Sequence, residues 1–203
     1  MSMSAQLWQK LDIEVVQNPP PHIEKSDHCY YAREYLSGKG YQASDTNQLI
    51  MNFKKDPSKK LLPEWEYKIK AQKKFAEELA FILPGKAEIA AIPTSKCKSD
   101  SSYDSRFEET FDLLTKRRPD VVILNLLQHP ASVDPLHLKG VRSIEGKLSE
   151  IAMVSNITPT GEQLFLIDDV LTTGVSFKAC QKKIREKFPQ VLLVGIFWAL
   201  SIR

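Results

Sequence analysis

The segment Leu164–Ser176, LFLIDDVLTTGVS, constrains this chain more than any other. Leu164, Phe165, Leu166 and Ile167 form a short continuous apolar run, the pattern of a strand covered on both faces. At its carboxyl end stand two adjacent carboxylates, Asp168 and Asp169. Thr172, Thr173 and Gly174 follow, and a helical pattern begins after them. The first N–H groups of a helix lack intrahelical acceptors and lie at the positive dipole end, which suits a phosphate. Gly174 lets the backbone bend closely round such a group, and the threonines add hydroxyl donors. The carboxylates can accept hydrogen bonds from sugar hydroxyls or help hold a hydrated Mg²⁺. An acid pair beside a phosphate cradle therefore points to a phosphorylated sugar.

The rest of the chain supplies the frame for that turn. Trp65, Ile69, Ala76, Ala80 and Leu83 recur at helical spacing from Glu64 and stop before Pro84-Gly85. Glu88–Pro93 reads as a buried strand, and Phe107, Phe111 and Leu114 mark a second amphipathic helix. Val121–Leu127, VVILNLL, is the expected central strand, with Ile151–Val154 a brief one and Val191–Leu200 the last. Phe177, Cys180, Ile184 and Phe188 place a helix between the phosphate turn and that last strand. Alternating helices and apolar strands predict an α/β fold with a doubly wound, mainly parallel sheet. In such sheets ligands bind at the carboxyl ends of the strands. Three loops are expected at that rim: Thr94–Asp104, Gln128–Glu150 and Val170–Ser176.

Composition excludes several classes. With 203 residues, 42% hydrophobic and 26% charged, the chain is long enough for one globular core. A net charge of +3, spread without interleaved aromatics, argues against a nucleic-acid partner. Cys29, Cys97 and Cys180 form no CxxC pair, which excludes a disulfide framework and a structural zinc site of that kind. No stretch has the length for a signal peptide or a membrane span, so a cytoplasmic protein is expected. Gly140–Lys147, GVRSIEGK, superficially offers a nucleotide-hydrolase loop. Its spacing is one residue too long, Leu148 stands where Ser or Thr is needed, and no strand precedes it.

The run Leu166–Ser176 resembles the 5-phosphoribosyl-1-pyrophosphate (PRPP) signature of type I phosphoribosyltransferases: apolar residues, two acids, two apolar residues, then a Thr-Gly loop. The likeness extends over roughly Glu64 to Leu200. It implies a phosphoribosyltransferase domain over residues 61–203 and an N-terminal extension, a possible hood, over residues 1–60. It also implies Mg²⁺ as cofactor and transfer of the phosphoribosyl group to a nitrogenous base or related acceptor, with release of pyrophosphate. Thr172, Thr173, Gly174, Val175 and Ser176 would bind the 5-phosphate. Asp168 and Asp169 would be the catalytic pair, holding ribose hydroxyls and the metal. Thr94, Ser95 and Lys96 occupy the place of the family's pyrophosphate loop. Gln128–Glu150 corresponds to a mobile lid, from which Arg142 and Lys139 would reach the pyrophosphate.

Where 6-oxopurine enzymes of this family often carry an acid, this chain has Thr172, which argues against hypoxanthine or guanine as acceptor. Tyr30-Tyr31, Leu49–Lys54 and the helix from Glu64 resemble, in their order, the ComF-like branch. That branch's zinc-binding cysteine pairs are missing here, and Ser101–Arg106 replaces its arginine-rich pyrophosphate loop. With little chain after Leu200, the cover over the acceptor is expected from residues before Glu64 or from a second subunit, since family members commonly form homodimers. A second reading stays open: a catalytically silent PRPP-binding regulator, or a competence- or DNA-uptake-associated partner protein.

Overall fold

The computed structural model describes residues 7–130 and 143–203. Its elements run in the order β1 (Gln9–Lys10), β2 (His28–Tyr31), β3 (Glu34–Leu36), α1 (Asp45–Phe53), α2 (Trp65–Ile82), β4 (Glu88–Ala91), α3 (Arg106–Arg117) and β5 (Val122–Ile123). There follow β6 (Leu127–Gln128), α4 (Ile144–Glu150), β7 (Ala152–Met153), β8 (Gln163–Leu171), α5 (Val175–Arg185) and β9 (Leu192–Ile202). The main sheet has the order β1-β2-β9-β8-β4-β5, and β3 continues along β9 beyond β2. Every pairing in it is parallel except β1 with β2. A mixed α/β fold with a mostly parallel central sheet is thus what the chain adopts.

The apolar run of β8 lies between β4 and β9, with Ile89 opposite Phe165 and Phe165 opposite Val194. Successive side chains of a strand point to opposite faces. Phe165 and Ile167 accordingly join the core under α1, α2 and α3, whereas Leu164 and Leu166 pack with Phe177, Cys180 and Ile184 of α5 on the other face. Helices on both faces explain why β8 is apolar rather than alternating. The first face centres on Trp198, whose ring stacks on Phe75 at 4.5 Å, with Phe53 set edge-on against both.

Two sequence expectations change. Val121–Leu127 is not a central strand: only Val122–Ile123 pairs, at the sheet edge, and Val122 is exposed. The amide of Leu126 turns back onto the Leu124 carbonyl, so the chain leaves the sheet and Leu127–Gln128 pairs with β7 instead. Within Gln128–Glu150, read as a polar loop, lies the short helix α4, capped by the Ser143 hydroxyl accepting from the Gly146 amide. No helix among the described residues is long and apolar enough to cross a membrane.

Cys29 and Cys180 are fully buried. Burial, reinforced by the nearby Asp27 charge, pushes the Cys29 thiol up to about 12, and burial likewise raises Cys180. Only the half-buried Cys97 should react with a thiol reagent in the native protein, with the other two reacting on unfolding. Native labelling of more than one thiol per chain would contradict this packing.

Candidate functional site

The strand connections locate the site. Strand β4 leaves through α3 to β5 on one side, and β8 leaves through α5 to β9 on the other. Their carboxyl ends therefore diverge, which is where an open α/β sheet forms its ligand crevice. The amide of Ile92 donates to the Ile167 carbonyl at 2.9 Å, so the loop after β4 starts beside the acid pair.

Asp168 and Asp169 occupy neighbouring positions in β8 but have different surroundings. The Asp169 carboxylate is 4% exposed. Its Oδ1 lies 2.8 Å from Lys54 Nζ, and its Oδ2 accepts from Arg106 Nη2 at 2.9 Å and Nε at 3.2 Å. Asp168 is partly exposed and forms no ion pair among the described residues; its Oδ1 accepts from the Asp169 amide at 2.8 Å. Burial, then the adjacent Asp169 charge, pushes the Asp168 carboxyl up to about 7. Burial also opposes ionisation of Asp169, but Lys54 and Arg106 outweigh it and hold that carboxyl below the ordinary range.

Behind Asp169 runs a buried chain of charges. Arg106 Nη1 donates to Asp104 Oδ2 at 2.9 Å, and Lys68 Nζ donates to Asp104 Oδ1 at 2.7 Å and to the Lys55 carbonyl at 2.8 Å. Lys68 is 1% exposed, and burial lowers its pKa even against the attraction of Asp104. Lys54, Lys68 and Arg106 thus hold Asp104 and Asp169, a network tying α1, α2, α3 and β8 together.

Lys54 and Arg106 were not singled out by sequence reasoning. Arg106 carried one signal: it opens α3, and a cation at a helix N-terminus opposes the helix dipole unless an anion holds it. Lys54 directly follows the Leu49–Phe53 run and looks there like an ordinary solvated lysine.

The turn between β8 and α5 is tight. Gly174 adopts φ 86° as the N-cap of α5, a left-handed conformation that favours glycine. Thr172 and Thr173 are exposed, Gly174 and Val175 buried and Ser176 half-buried. The amides of Ser176 and Phe177 have no acceptor among the described residues, the condition for binding an anion there.

The β4 loop carries Thr94, exposed Ser95, and Lys96, whose Nζ lies 3.4 Å from Asp100. Thr94 Oγ1 is buried without a hydrogen-bond partner among the described residues. Thr94, Lys96, Cys97, Phe107 and His129 line a cavity of about 50 Å³, room for a few waters rather than a sugar phosphate. His129 is buried, with Nε2 3.2 Å from Lys147 Nζ; burial and that ammonium lower its pKa. Arg142, Lys139 and the middle of the expected lid lie outside the described residues. The acid pair, the turn and the β4 loop share one rim.

No protein-family model matches the chain, and no curated protein does. A similar solved structure is a hypoxanthine phosphoribosyltransferase from Staphylococcus aureus, at 12% identity and a TM-score of 0.38, over 64% of this chain. The alignment spans 60% of that enzyme's length.

Proposed function

We propose that the protein binds PRPP at this rim and transfers its phosphoribosyl group to an acceptor, a nitrogenous base or related compound, with release of pyrophosphate. One observation carries the reading. A glycine in the left-handed conformation opens a helix with free amides at the divergence of β4 and β8, six residues after Asp168, a half-buried acid with no ion pair among the described residues. The 5-phosphate sits on Thr172–Ser176 and the ribose hydroxyls reach Asp168. Thr94, Ser95 and Lys96 face the pyrophosphate, with exposed Ser95 and the half-buried Lys96 supplying a hydroxyl and an ammonium. Asp169, held by Lys54 and Arg106, serves as the fixed neighbour that orients Asp168.

The donor set suits Mg²⁺, which takes one or two carboxylates and completes its shell with water and substrate oxygens. Asp168 is the available hard oxygen ligand, while both Asp169 oxygens already meet cations. Bound there, the metal would neutralise charge on the departing pyrophosphate. In the transfer, the bond from ribose C1 to the pyrophosphate oxygen breaks and pyrophosphate leaves with its electron pair. C1 then bonds to the lone pair of the acceptor nitrogen, whose proton passes to solvent. Positive charge developing on the ribose is stabilised by the Asp168 carboxylate.

Calorimetry with PRPP and Mg²⁺ tests this. Native protein should bind, and Asp168→Asn should lose about 10–100-fold in affinity; equal affinity overturns the assignment. The regulator reading draws on Thr172, which is exposed at the start of the turn and offers no general base. Pyrophosphate release across a panel of bases separates the two, since binding without release favours the regulator.

A further inference from the structure

Residues 20–27, at the far end of the chain, meet the phosphate turn directly. The His22 amide donates to the Thr173 carbonyl at 3.0 Å. Ile23 is buried against Gly174: a Cβ on that glycine would come within 2.8 Å of Ile23 Cδ1. Four residues on, the buried Asp27 carboxylate accepts from Lys178 Nζ at 2.9 and 3.0 Å and from Gln181 Nε2 at 3.1 Å, both on α5. Asp27 also closes its own segment, its Oδ2 taking the Glu24 amide at 2.9 Å while its amide donates to the Glu24 carbonyl.

A turn that keeps its amides unpaired for a ligand has little to hold it in shape, because each lost internal hydrogen bond removes a restraint. Such geometry persists only where the surroundings over-determine it. Here the surroundings come from residues 20–27, which grip the turn at Thr173 and Gly174 and the helix at Lys178 and Gln181. Three consecutive prolines, Pro19–Pro21, restrict the backbone leading into the segment and reduce the entropy lost on docking it.

We infer that residues 20–27 form a built-in brace of the anion site, with Ile23 and Asp27 as positioning residues that set the turn's shape without touching the ligand. This rests on the proposed function only for the identity of the ligand. The brace also gives the N-terminal part of the chain a role on the phosphate side of the site, in addition to any cover over the acceptor.

Binding of ribose 5-phosphate and of pyrophosphate, each with Mg²⁺, tests the brace in Ile23→Ala, Ile23→Val and Asp27→Asn. Ile23→Ala and Asp27→Asn should weaken ribose 5-phosphate about tenfold, leave pyrophosphate within about twofold, and Ile23→Val should restore most of the loss. Equal loss of both ligands, or of neither, overturns the brace. Hydrogen exchange at the Lys178 and His22 amides, which donate to the Gly174 and Thr173 carbonyls, reads it without any ligand, and should quicken about tenfold in Ile23→Ala; unchanged exchange also overturns it. If the native protein binds neither ribose 5-phosphate nor PRPP, the proposed function is overturned and the binding comparison lapses, while quickened exchange in Ile23→Ala leaves the brace standing.

Discussion

Arg106→Met is expected to destabilise the protein by about 3–5 kcal/mol, the range for removing one partner from a buried ion pair. Arg106 serves two carboxylates at once, Nη2 and Nε on Asp169 and Nη1 on Asp104. Its removal leaves Asp169 with Lys54 alone and Asp104 with Lys68 alone, all but Lys54 being largely buried. The guanidinium also lies over the rings of Phe53 and Phe107, at 5.7 and 5.3 Å, so packing is lost with the charge. Arg106→Lys should recover only part of the stability, since one ammonium cannot reproduce a planar fork spanning both acids. Denaturant unfolding at pH 7 measures both variants. Losses below about 1 kcal/mol would show that the network does not hold these elements together. Adding Asp169→Asn to Arg106→Met should cost less than the sum of the two single changes, because they share one interaction.

That network also shows where sequence reading reaches its limit. Apolar spacing located α2 correctly but assigned its inner face to Trp65, Ile69, Ala76, Ala80 and Leu83. The helix actually buries Lys68, Ala71, Gln72, Phe75, Ala76, Glu78 and Leu79. Polar residues turn inward because distant segments supply their partners: Asp104 for Lys68, Glu109 for Gln72, and Arg33 with Trp198 for Glu78. A hydrophobic periodicity has no means of seeing such pairs. By contrast β8 and α5 were legible, because a strand covered on both faces must be continuously apolar and a tight strand-to-helix turn needs its glycine. The apolar run at Val121–Leu127 had the composition of an inner strand, yet periodicity cannot tell an edge strand from a central one. Within the candidate site, the sequence placed the acid pair at the end of a strand and a glycine turn before a helix, and the fold has both there. Neither the asymmetry of the pair nor the brace could be read from local sequence, since Lys54, Arg106, Ile23 and Asp27 reach the site only through the fold.

The asymmetry of the acids leads to an expectation for stability against pH. Asp168→Asn should stabilise the ligand-free protein at pH 8, by about 1 kcal/mol or roughly 2–4 °C in Tm, once solvent at the partly exposed carboxyl is allowed for. The folded Asp168 carboxyl is pushed up to about 7, above its ordinary value of 3.8. Between those values the folded state holds a proton that the unfolded state has released, so stability falls as pH rises from about 4 to 7. Above that window the native protein carries the whole cost of a second charge beside Asp169, which the asparagine avoids. Asp169 runs the other way: its depressed pKa contributes stability above its ordinary value, lost only as pH falls into the acid range. The advantage of Asp168→Asn should therefore shrink between pH 8 and pH 5. A lower Tm for Asp168→Asn than for native protein across that range would refute the account. Mg²⁺ with PRPP should reverse the ranking at pH 8, because ligand at 100 times the native Kd stabilises the native protein by about 2.7 kcal/mol but a variant binding 10–100-fold more weakly by only about 0.4–1.4 kcal/mol. Residues that bind charged ligands are commonly kept at a cost to the free fold, and under the proposed function that cost falls on Asp168, the acid with no ion pair among the described residues.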